Sequence, residues 1–94
     1  MVIEASPDTD EAIRRRWGQN LVDTMATQGI TPKRLVIDLA QLGVEVSTSS
    51  ISQWCKGDVA PGPSKMIALA RALHVPARML FSLDVEVIRQ DAAA

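Results

Sequence analysis

Apolar side chains recur at helical spacing through most of this chain. Ile13, Trp17, Leu21 and Met25 stand four residues apart and predict one face of a first helix. Asp8 suits its N-cap, with Glu11 returning the bond as in a capping box, and Gly29 closes it. Thr31 then fits an N-cap and Pro32 the first helical position, where a missing N–H is no loss; Leu35, Leu39 and Leu42 mark the buried face of a second helix that stops at Gly43. Val44 to Val46 form a turn. Ser47 caps a third helix in which Ile51 and Trp54 face inward, leaving Thr48, Ser49, Ser52 and Gln53 on the outside. Gly57 and the segment Asp58 to Pro63 break the chain. Beyond them Met66, Leu69, Ala70 and Leu73 give a fourth helix its apolar stripe, and Pro76 opens a short fifth through Phe81.

Five short helices, with no strand pattern before residue 84, predict an all-α fold, a compact five-helix domain followed by a short C-terminal tail. The short link between helices 2 and 3 predicts that they pack at a steep angle as a helix-turn-helix. The expected boundaries are an N-terminal arm over 1–8, the helical domain over 9–83, and a tail or linker over 84–94 with one β-prone patch, Val85 to Ile88. The length of 94 residues suits one small domain, and an apolar fraction of 47% suffices for its core.

Charge narrows the picture. A formal net charge of −1 supplies no global attraction to a polyanion, so any contact with nucleic acid must come from local placement of Lys and Arg. Locally the pattern favours such a contact. From Val46 to Gly57 the only charged residue is Lys56, and there is no acid, although acids outnumber bases 11 to 10 over the chain. One cysteine, Cys55, and one histidine, His74, build neither an internal disulfide nor a four-ligand zinc site, so no metal and no cofactor is expected, and a reducing, cytoplasmic setting fits. No apolar run reaches the ~20 residues of a membrane span, and the acidic start MVIEASPD lacks the parts of a secretion signal. A nucleophile with its base, paired carboxylates or a Gly-rich phosphate loop is not laid out in a convincing context, so no enzyme is expected.

Across residues 13 to 83 the chain resembles the lambda-repressor-like helix-turn-helix family, the phage repressor and Cro (Xre-type) group, in its variant with a lengthened second helix common in actinobacteria and their phages. The resemblance is carried by Trp17-Gly18 with Leu21, Gly29-Ile30-Thr31, Leu35 with Leu39, then Gly43, Val46-Ser47, Ile51-Ser52, Trp54 and Gly57, and finally by LARALHVP from Leu69 to Pro76 with Met79-Leu80-Phe81. It implies that the third helix, 47–56, enters the major groove of an operator duplex. By position Thr48, Ser49, Ser52 and Gln53 are then the base readers. Gln53 is the best of them, since one amide can meet adenine N6 and N7 together. Ser47 and Ser50 with the free N–H groups of their helical turn, Lys33 and Arg34 at the start of helix 2, and Lys56 after helix 3 are the phosphate contacts implied. Capping is an equal reading for Ser47 and Ser50.

The chain departs from the family pattern in three places. Pro32 replaces the usual Gln in the first turn of helix 2, Cys55 replaces the Glu that often follows the Trp of helix 3, and Val22 with Met25 replace basic residues in the second half of helix 1. Loss of the Glu removes a repulsive charge near DNA, while the apolar pair suits packing or contact with another chain. Arg14, Arg15 and Arg16 read first as a solvated helix face, with a phosphate contact as the lesser reading. Trp17 and Trp54 belong to buried faces rather than to a base-stacking platform, and Cys55 reads as a half-buried filler. His74 ends helix 4, where its imidazole suits the negative pole of the helix dipole.

The function implied is sequence-specific binding of duplex DNA and repression of transcription by covering a promoter, as in a phage immunity repressor or its Cro-like counterpart. An antitoxin-type or other protein-interaction module on the same fold is the competing expectation, with Val85 to Ile88 adding a strand to a partner. A homodimer, or an additional C-terminal domain beyond Ala94, would supply the symmetry that two-fold operators demand.

Overall fold

In the computed structural model, which describes residues 10–81, every regular element is a helix: α1 (Asp10–Gln28), α2 (Pro32–Gln41), α3 (Thr48–Lys56), α4 (Pro63–Leu73) and α5 (Ala77–Phe81). The expected cap at Asp8, the arm and the tail lie outside the described residues.

The helices begin and end where local chemistry directs. Thr31 is the N-cap of α2, its hydroxyl accepting from the Arg34 N–H at 3.1 Å, and Pro32 occupies the first turn. At the end of α1 the chain reverses at Gly29, and the Ile30 N–H returns to the Met25 carbonyl at 2.9 Å. After α2 the Val44 N–H returns to the Leu39 carbonyl at 2.9 Å, and after α4 the Val75 N–H returns to that of Ala70 at 3.0 Å. His74, the C-cap of α4, takes the left-handed conformation with φ 58°, alone among the non-glycine residues described.

One apolar core joins the five helices. Leu21, Leu35, Leu39, Ile51, Leu69, Leu73 and Leu80 are fully buried, with Met25 and Trp54 close behind. Each large side chain so buried contributes about 1.5–3 kcal/mol relative to exposure, which far exceeds what helix propensity supplies to elements of five to nineteen residues. α1 runs along α3 and touches α4 and α5, while α2 packs against α3 and α4. Two side chains of α1 also fasten the ends of other helices. The Gln28 amide donates to the Leu73 carbonyl at 2.6 Å, and the Asn20 amide donates to the Leu80 carbonyl at 3.1 Å, satisfying acceptors that α4 and α5 leave open.

The periodic reading holds for Leu21, Met25, Leu35, Leu39, Ile51, Trp54, Leu69, Ala70 and Leu73. It fails at Leu42, which is 45% exposed. α2 stops at Gln41, and Leu42 has left helical geometry with φ −93° and ψ 8°, so the three-residue step from Leu39 no longer returns to the buried face. Val44 and Val46 in the turn pack against the core. Met66 is half-buried, and so is Trp17, which meets Phe81 edge to face with ring centroids 5.5 Å apart.

Candidate nucleic-acid interface

The turn between α2 and α3 spans Leu42 to Ser47 and delivers the chain into α3 through Ser47, whose backbone is extended (φ −103°, ψ 165°). The Ser47 hydroxyl accepts from the Ser50 N–H at 3.1 Å and donates to the Ser50 hydroxyl at 3.3 Å. This cap satisfies one of the open donors of the first turn of α3, and the turn carries no acidic side chain. At the other end Gly57 adopts φ 80°, and the Asp58 N–H reaches back to the Gln53 carbonyl at 3.0 Å. A side chain at that φ is strained, so glycine suits the stop.

Ile51 and Trp54 bury one side of α3, and the opposite side is polar. Thr48, Ser49 and Gln53 are exposed, as their spacing predicts, whereas Ser52 and Ser50 are half-buried. Ser52 therefore offers less of its hydroxyl than its place in the pattern suggests. Lys56 closes the helix and is exposed. Glu45 and Asp58, both exposed, flank this surface on either side, so the acid-free stretch is bounded rather than continued.

Lys33 and Arg34 are exposed in the first turn of α2. Arg34 is engaged, its Nε meeting Asp38 Oδ1 at 3.0 Å one turn along the helix. The Arg34 side chain is 67% exposed, and surface pairs at this spacing contribute only a few tenths of a kcal/mol, so the pairing holds Arg34 lightly. Burial raises the Cys55 thiol above its ordinary value, which keeps it neutral. It is a half-buried filler in the last turn of α3.

The arginine run divides on the structure. Arg15 pairs with Glu11 at 2.7 Å on an exposed face of α1, in line with a solvated helix surface. Arg14 does not follow that reading: it is half-buried, and its Nε donates to the Gly57 carbonyl at 3.1 Å, on the C-cap of α3. Gly18 is a second residue whose role the periodicity hides. It is buried against α3, where a methyl group would meet the Trp54 carbonyl oxygen at 2.6 Å and collide with that of Cys55. Glycine inside an otherwise regular helix was the available signal for such a close approach.

The clefts of the surface are shallow. One of about 520 Å³ lies between α4 and α5, lined by Ile67, Ala70, Arg71, His74, Val75, Pro76 and Ala77, and holds no carboxylate, thiol or hydroxyl. Among the described residues no three His, Cys, Asp or Glu side chains gather as metal ligands, and no helix is long and apolar enough to cross a membrane.

Searches of curated proteins and of solved structures return no match. The family model HTH_3, described as helix-turn-helix, matches residues 36–80, which take in α3, α4 and most of α2 and α5. Residues 36–80, which hold the turn and α3, are thus similar to the Xre and lambda-repressor-like helix-turn-helix family, a family of DNA-binding regulators.

Proposed function

We propose that this protein is a sequence-specific repressor of transcription that seats α3 in the major groove of a duplex operator and acts by covering the promoter. The observation that carries the proposal is the outer face of α3: Thr48, Ser49 and Gln53 are exposed, polar and uncharged, on a helix whose first turn is capped by Ser47 and free of acids. Neutral donors and acceptors suit the edges of bases, and a surface free of carboxylates suits the approach of phosphates. In this reading Gln53 takes adenine through its N6 and N7, Thr48 and Ser49 refine the preference, and Ser52 contributes through a partly shielded hydroxyl. Lys33, Arg34, Ser47, Ser50 and Lys56 hold the phosphates on either side and set the register without reading sequence. The role is that of a phage immunity repressor or a Cro-like regulator, which rests on the resemblance of the whole helical segment to that group.

Selection of bound duplexes from a random pool at near-physiological salt, followed by sizing of the complex on the winning site, tests the proposal. A sharp motif is expected, and its symmetry reports whether one or two copies bind. Retention without enrichment, weak and lost with added salt, would overturn sequence-specific reading.

A further inference from the structure

The seam between α1 and the C-terminal end of α3 is built from backbone. Positions 14, 15 and 18 share one side of α1, and each touches the last turn of α3 or its cap. At Gly18 the α1 backbone lies against the carbonyls of Trp54 and Cys55, so closely that a methyl group there would sit 2.6 Å from the Trp54 oxygen. At Gly57 a methyl group would sit 2.8 Å from Arg15 Cα and 3.0 Å from its N. Between these two contacts the Arg14 Nε donates to the Gly57 carbonyl at 3.1 Å. No rotamer change can absorb a shift where backbone meets backbone, so the C-terminal end of α3 has a fixed pivot.

The opposite end of α3 is the end that carries Thr48 and Ser49, both exposed. Nine helical residues at 1.5 Å each place that end about 13 Å from the pivot. A tilt of about 10° there moves it by about 2 Å, several times the range over which a hydrogen bond keeps its strength. The seam therefore governs whether Thr48 and Ser49 reach base edges, while phosphate contacts made by the long side chains of Lys33, Arg34 and Lys56 tolerate the same tilt.

We propose that Arg14 is a positioning residue for sequence reading: through the Gly57 carbonyl it holds α3 at the tilt that base contacts require, and it sets the ratio of specific to random DNA affinity rather than phosphate attraction. This rests on the DNA-binding reading above. Arg14→Gln and Arg14→Met separate the roles, because both remove the charge, both are neutral and of similar length, and only Gln keeps an N–H donor at the place of Nε. Affinity for the selected site and for a random duplex is measured across a salt series, with folding checked by circular dichroism.

The Gln variant is expected to keep the parent's ratio of specific to random affinity, and the Met variant to lose about tenfold in that ratio, the worth of one misplaced base contact, with the same salt slope in both. Equal loss on every duplex, with a salt slope shallower by about one unit in both variants, would make Arg14 a phosphate contact and overturn the proposal. So would an unchanged ratio in both variants. A parent chain that selects no site fails the DNA-binding reading itself, and that outcome is seen before any variant is made.

Discussion

Gln53 differs from its neighbours on α3 in carrying a donor and an acceptor on separate atoms of one rigid plane, whereas Thr48 and Ser49 rotate a single hydroxyl to suit either partner. Gln53→Ala is therefore expected to flatten base preference at one or two positions of the selected site, at about 1–3 kcal/mol of discrimination, and to leave affinity for random duplex unchanged; repeating the selection with the variant reads this directly. Ser47 has two jobs in the proposed scheme. Its hydroxyl caps α3 and stands where a phosphate contact is expected, so Ser47→Ala is predicted to lower stability by about 1 kcal/mol in urea unfolding and to weaken binding beyond what that loss explains. Exposure of Thr48, Ser49 and Gln53 was legible because a 3.6-residue period with two fixed apolar positions, Ile51 and Trp54, leaves little choice. Ser52 and Arg14 were not legible in the same way. Period alone does not fix how far a side chain is covered, and for Arg14 the partner, Gly57, lies 43 residues away in sequence.

At the level of elements, several boundaries that a cap or a glycine announces in the sequence are found within a residue of their place. Thr31 with Pro32, Ser47, Gly29 and Gly57 all act locally, and local chemistry is what a single sequence displays best. Leu42 shows the limit of that logic, because a periodic pattern continues on paper past the point where the helix has ended. The close approach of α1 to α3 at Gly18 shows another, since periodicity marks which side is buried but not how near the partner comes. α4 ends differently from α1 and α3, with His74 rather than glycine in left-handed backbone, a conformation that costs a side-chain-bearing residue about 1–2 kcal/mol. His74 is exposed, so little packing opposes its replacement. His74→Gly is expected to stabilise the domain by up to about 1 kcal/mol, read as a higher midpoint in urea with an unchanged slope.

The whole molecule combines a net charge of −1 with a small set of cations beside α3. Lys33, Arg34 and Lys56 supply three phosphate contacts in the proposed complex, which predicts a salt slope of about −2.7 per bound copy, and Lys33→Ala with Arg34→Ala is expected to weaken all duplexes alike while reducing the slope by about two units. An unaltered slope in that double variant would remove both residues from the phosphate set. The acid-free surface from Val46 to Gly57 has a kinetic consequence. In the proposed complex the phosphate contacts gather around α2 and α3 of a molecule that carries a slight excess of negative charge, so net charge adds nothing to encounters in other orientations. Residence on arbitrary sequence is then brief. On the proposed reading, random duplex in a genome is a weak reservoir for the protein, and a modest number of copies stays free to search for a specific site.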